Sequence, residues 1–211
     1  MLHPMKIPEL RARVIVLSTV TLLFLLLHSA TAITNSKPSR QRHRSPLQFI
    51  RSSCIHARYP NLCLRSLSSY SGPASPRCIA QAAVRTSLFN ARSVSYFLRT
   101  RVPGRAHLSK LERAALNDCV EQISDSVYEL RKTLGELQHL KLGESTFRWR
   151  LSNAETWVSA ALTDDDTCLD GFDEADGSVK TQVRRKISQV ARLTSNALYM
   201  INRLDDSRGR P

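Results

Sequence analysis

Apolar residues recur along this chain in steps of three and four, the spacing of one face of an α-helix. Four long stretches carry the pattern. The first, about Pro76 to Arg101, aligns Val84, Leu88, Ala91, Ser95 and Leu98. The second, about Ala106 to Leu142, aligns Leu111, Ala115, Cys119, Ile123, Val127, Leu130, Leu134 and Leu137. In the third, about Glu144 to Phe172, the inward positions are Phe147, Leu151, Ala154, Val158, Ala161 and Leu162. The fourth, about Ser178 to Leu204, places Val179, Val183, Ile187, Val190, Leu193, Ala197, Ile201 and Leu204 on one side. Pro103-Gly104 and Gly143 punctuate the first two joints, and Gly171 and Gly177 bracket the end of the third stretch. Each stripe must be buried, and short connections make consecutive helices antiparallel neighbours. The pattern therefore predicts an all-α, up-down-up-down four-helix bundle.

Two shorter helices precede the bundle. Ser45-Pro46 reads as a cap followed by a first helical residue, opening a helix to about Tyr59. Another runs from Asn61 to about Tyr70, and residues 71–76, rich in Pro and Ser, break the chain. Together they form an amino-terminal helical hairpin, expected as an appendage to the bundle. Scarce Gly and few aromatics suit helices better than a sandwich or barrel.

The amino terminus has a different character. Lys6, Arg11 and Arg13 precede an apolar run from Val14 to Leu27, too short to cross a bilayer comfortably as a helix. Ala30-Thr31-Ala32 supplies small residues for cleavage, so residues 1–32 read as a signal peptide. Residues 33–45, with Lys37, Arg40, Arg42 and Arg44 and no apolar period, read as a basic disordered arm. The helical domain spans 46–205, and 206–211 form a tail. The expected protein is secreted, with no membrane association after cleavage.

An oxidising compartment gives meaning to the five cysteines, Cys54, Cys63, Cys78, Cys119 and Cys168. Tyr59-Pro60-Asn61 would reverse the chain between Cys54 and Cys63, and that bridge would contribute roughly 2.7 kcal/mol. A Cys119–Cys168 bridge would contribute roughly 4 kcal/mol and would match the levels of antiparallel neighbours. Other pairings remain open on spacing alone. Cys78 would then be a buried free thiol, or would couple two chains.

Chemistry is sparse. His43, His56, His107 and His139 lie in no motif with a nucleophilic Ser or Cys, so no catalytic residue is nominated. The run Asp164-Asp165-Asp166 leads into a stretch resembling a calcium loop. Counted from Asp166, positions three and twelve are Cys168 and Gly177, which cannot supply the required oxygens. The run reads instead as a solvated helix end, and no metal or cofactor is implied. The formal charge is +13, of which residues 1–32 hold a net +2. Such a surface attracts polyanions, and in a secreted protein an acidic polysaccharide or acidic partner fits better than nucleic acid, for which no reading motif is present. A binding or inhibitory protein and a ligand carrier with an internal cavity both remain open.

Several segments resemble one family. Phe49-Ile50-Arg51-Ser52-Ser53-Cys54 with Arg58-Tyr59-Pro60-Asn61-Leu62-Cys63 is one, and Ala114-Ala115-Leu116-Asn117-Asp118-Cys119 is another. The third is Thr156-Trp157-Val158-Ser159-Ala160-Ala161-Leu162-Thr163 running into Thr167-Cys168-Leu169-Asp170-Gly171-Phe172. These resemble the plant invertase/pectin methylesterase inhibitor family, over about Pro46 to Leu204. The resemblance implies a four-helix bundle behind a helical hairpin, with bridges Cys54–Cys63 and Cys119–Cys168. A free Cys78 departs from the family pattern, and Thr194 stands about where some members keep a fifth cysteine. Invertase-directed members use a Pro-Lys-Phe motif before the third helix, where this chain has residues 141–147 without it. Thr167 matches a position that esterase-directed members use at their interface. The resemblance therefore implies an inhibitor of pectin methylesterase acting in trans in the apoplast and cell wall, with acid invertase as the alternative target. It would cover the enzyme's cleft through Ser159, Thr163 and Thr167, and its basic surface would associate electrostatically with acidic pectin.

Overall fold

The computed structural model describes residues 45–100, 102, 108–175 and 178–206. The signal peptide, all of the arm before Ser45, Pro103-Gly104, Gly177, the tail beyond Asp206, His43 and His107 lie outside the described residues. Six helices follow in order: α1 (Pro46–Cys54), α2 (Pro60–Leu67), α3 (Pro76–Thr100), α4 (Lys110–Gln138), α5 (Phe147–Asp170) and α6 (Ser178–Asp206).

Their starts are written in local chemistry. Ser45 accepts from the Gln48 amide at 3.3 Å, with Pro46 beginning α1. Ser75 does the same for Cys78 at 3.3 Å, ahead of Pro76. At α4, Ser109 accepts from the Glu112 amide at 3.1 Å while Glu112 accepts from the Ser109 amide at 3.0 Å, a reciprocal cap. That cap moves the start of α4 to Lys110 and turns Glu112 inward, leaving Leu111 48% exposed rather than on the core stripe. Gly143 closes the turn after α4 at φ 85°, a backbone conformation that side chains oppose. The α5 start accordingly falls at Phe147 rather than Glu144. The hairpin helices are shorter than their sequence suggested. Cys54 bonds to Cys63, so α1 stops there and the chain turns through an Ala57 amide to Cys54 carbonyl bond of 3.1 Å.

Helices α3 to α6 close a ring in which each packs on its two neighbours. Pairs between neighbours step in opposite directions along the chain. Arg77 and Gln81 of α3 donate to the Leu140 and Leu137 carbonyls, while Arg99 reaches Ser124. Cys119 bonds to Cys168, and Glu136 meets Arg150 at 3.2 Å. Asn90 accepts from Gln189, and Ser87 meets Thr194. These antiparallel pairs give the up-down-up-down bundle, with no strand among the described residues.

The stripe of α6 is buried at every position from Val179 to Leu204 named above. In α3, from Val84 onward, the buried positions are Val84, Ser87, Leu88, Ala91, Val94 and Leu98, with Ser95 only half-buried. In α4, Leu116, Ser126 and Thr133 are buried while Val127 and Leu134 sit at the margin. A true helical period rotates a strict four-residue stripe off the core. Leu162 is half-buried for the same reason.

The hairpin is not an appendage. Ile50, Cys63 and Leu67 join the same core, and α2 packs on α3 and α6. Asn196 of α6 accepts from the Tyr59 amide at 3.0 Å and donates to its carbonyl at 3.1 Å. Arg203 donates to the Ser53 carbonyl. Cys78 takes no bridge and is half-buried rather than fully enclosed.

One polar layer crosses the bundle. Ser87, Ser126, Asp165 and Thr194 come one from each long helix, and all are fully buried. Ser126 donates to Asp165 Oδ1 at 2.9 Å, Thr194 contacts Oδ2 at 2.9 Å, and Ser87 lies 2.7 Å from the Thr194 hydroxyl. The acidic run is therefore not a solvated helix end: its middle member is in the core.

Candidate functional site

The outward face of α5 carries an unusual ridge. Trp149, Ser152, Thr156, Ser159, Thr163 and Thr167 recur every three or four residues and are all exposed. Ser159, Thr163 and Thr167 thus share one line, whereas Ala161 is fully buried and packs inside the bundle. The hydroxyls are held. Thr156 donates to the Ser152 carbonyl at 2.8 Å, Thr163 to Ser159 at 3.1 Å and Thr167 to Thr163 at 2.8 Å. Each threonine proton points inward, so the ridge presents methyl groups and oxygen lone pairs. It is narrow and uncharged along this line, geometry that lets another surface come close.

Aromatic side chains flank it. Trp149 is 62% exposed and Tyr128 of α4 is 52% exposed. Lys132 lies 5.3 Å from the half-buried Trp157 ring and 6.0 Å from that of Tyr128. Exposed Trp and Tyr beside a basic group are the composition of binding hot spots. Sequence reasoning nominated none of the three. Their signal was available: large aromatics at positions that the core stripes leave outside.

Beneath the Thr167 end lies a group of carboxyls. Glu129 and Asp164 face each other between α4 and α5, both half-buried. Glu129 Oε2 and Asp164 Oδ2 are buried without a donor from the neighbouring side chains. A proton shared between the two carboxyls satisfies both. Burial raises both pKa values, with Asp125 adding repulsion. Burial also pushes Asp165 up to about 7, against the lowering effect of its hydroxyl donors Ser126 and Thr194. Among the described residues, no group of three His, Cys, Asp or Glu side chains is arranged to hold a metal ion. His56 is exposed, and the His139 ring bonds the Gly135 carbonyl at 2.9 Å near the end of α4. Neither meets a nucleophile.

Residues 48–200 match the family described as plant invertase/pectin methylesterase inhibitor. The chain is 50% identical over 195 residues to pectinesterase inhibitor 3 of Arabidopsis thaliana, covering 90% of this chain and 95% of that one. It is 37% identical to pectinesterase inhibitor 9 of the same plant, covering 89% and 95%. Among solved structures, a mutant form of a pectin methylesterase inhibitor from Arabidopsis superposes with a TM-score of 0.60 at 21% identity, covering 72% of this chain and 95% of that one.

Proposed function

The chain belongs to the plant invertase/pectin methylesterase inhibitor family, and on that premise we propose that it inhibits a pectin methylesterase by stoichiometric, non-covalent occlusion of the enzyme's substrate cleft. The observation that carries this reading is the 50% identity to pectinesterase inhibitor 3 across nearly the whole of both chains. The α5 ridge supports the manner of action. Ser159, Thr163 and Thr167 would meet the rim of the cleft, with Trp149 and Tyr128 as apolar anchors at its flanks. An occluding protein needs no nucleophile or metal of its own. Residues 1–32 would direct export as a signal peptide, and the basic arm 33–45 would precede the inhibitory domain in the cell wall. The surplus positive charge would hold the protein on acidic pectin. No helix among the described residues is long and apolar enough to cross a membrane.

Purified protein titrated against a plant pectin methylesterase and an acid invertase tests the reading. Methanol release should fall to zero at one inhibitor per enzyme while sucrose hydrolysis continues. Loss of invertase activity alone would transfer the proposal to the other target of the family.

A further inference from the structure

A second surface shares no residue with the α5 ridge. Arg58 and Arg65 of the hairpin face Arg184, Arg185 and Arg192 of α6 across an open groove of about 820 Å³, with Tyr59 between them. No acidic side chain lines the groove. Arg184 alone of the five pairs with a carboxylate, that of Asp173, among the described residues. The like charges are also held in place. Arg58 and Arg192 lie 5.9 and 5.5 Å from the Tyr59 ring, and Asn196 clamps the Tyr59 backbone from both sides. The groove also contains the start of α2. Tyr59 offers no side-chain cap there, so the positive end of that helix opens into the same space. Crowded guanidinium groups repel until an anion enters, and each can grip a carboxylate with two parallel bonds.

We propose that this groove is a binding site for a polyuronate, a polysaccharide carrying a carboxylate on successive sugars. Its volume lies in the range of sites that enclose small ligands rather than flat protein faces. Pro60 and Leu62 are its only aliphatic walls, too few for the apolar centre of a protein interface. One tyrosine supplies no platform for stacked bases. The choice of a uronate among anions rests on the proposed inhibitory role, since hydrolysis of a uronate methyl ester leaves a carboxylate. The groove itself rests on geometry alone. The inhibitor would then gather where esters have already been removed, beside the enzyme that removes them.

Calorimetry with a de-esterified uronate oligomer, and with its fully methyl-esterified counterpart, tests the proposal. The protein should bind the first and not the second. The pairs Arg185→Gln/Arg192→Gln and Arg58→Gln/Arg65→Gln should each weaken binding about tenfold. The charge-matched pair Arg113→Gln/Arg148→Gln, on exposed sites outside the groove, should leave it unchanged, and circular dichroism should show equal helicity throughout. Equal weakening by the control pair would reduce the effect to net charge and overturn the site. Equal binding of the methyl ester would do the same. Tighter binding of an acidic peptide or of linear polyphosphate at matched charge would overturn the assignment to a polysaccharide. Esterase inhibition, measured on the same samples, should survive the groove substitutions. Oligomer binding without any inhibition would leave the groove standing and remove the inhibitory reading; inhibition without oligomer binding would do the reverse.

Discussion

Asp165 is a carboxyl group enclosed by hydroxyls in the middle of the bundle, and its proton ties stability to pH. With its pKa near 7, the folded chain holds a proton that an unfolded aspartate releases near 4. Between those values the native state binds more protons, so stability falls as pH rises through the window. The proton shared by Glu129 and Asp164 acts in the same direction. A loss on the order of 2 kcal/mol between pH 5 and pH 8 is expected, read as a falling thermal midpoint. Asp165→Asn removes the titrating carboxyl while its amide oxygen still accepts from Ser126, leaving Thr194 its bond to the Val190 carbonyl. It should flatten most of that slope, and an unchanged slope in the variant would remove Asp165 as its origin. At the ridge, Thr167→Arg places a long charged side chain where the Thr167 hydroxyl is folded back on the helix. Esterase inhibition should weaken tenfold or more, while stability stays within about 0.5 kcal/mol, as for other exposed positions. Inhibition that survives intact would move the contact away from this end of α5.

Among the elements, α4 shows how a local cap fixes a boundary. Ser109→Ala removes the acceptor for Glu112 and leaves that buried carboxyl with half of its reciprocal pair. A cost of about 1 kcal/mol is expected in denaturant titrations. The helices themselves were legible from spacing, most completely in α6, where all eight striped positions from Val179 to Leu204 are buried. Legibility failed where a contact joins distant residues. Leu111 matched the stripe but lost its place to Glu112, because a cap outweighed hydrophobic periodicity in the first turn. Asp165 sits in a run of three aspartates, the pattern of a wet surface, and nothing nearby in sequence shows that Ser126 and Thr194 converge on it. The exposed line through Ser159, Thr163 and Thr167 follows from helical spacing. The aromatics beside it do not, since Lys132 of α4 reaches the Trp157 ring as well as that of Tyr128 only when α4 packs on α5. The arginine groove was invisible for the same reason: its two walls, residues 58–65 and 184–192, are far apart in the sequence and adjacent only in the fold.

For the molecule as a whole, the polar layer and the hairpin clamp bind elements that the sequence presents separately. Each long helix contributes one member of the layer, so no helix can slip along its neighbours without stranding a buried polar group. Unfolding should therefore be a single event, with tryptophan fluorescence from α5 and far-ultraviolet dichroism from all helices giving coincident denaturant transitions. Distinct midpoints would show that the hairpin or one helix pair melts alone. The hairpin shares this fate through Asn196, which is 3% exposed. Asn196→Ala should cost about 1 to 2 kcal/mol, because the half-buried Tyr59 amide would lose its acceptor while the Tyr59 carbonyl keeps only the Cys63 amide. The same clamp also sets a clock. A bend residue such as Tyr59 would ordinarily trade its amide proton with water almost at once. Here deuterium can enter only when the hairpin lifts from α6, so the Tyr59 amide should exchange as slowly as the interior amides of α6 around Ile201, and its exchange rate would count how often the arginine groove comes apart.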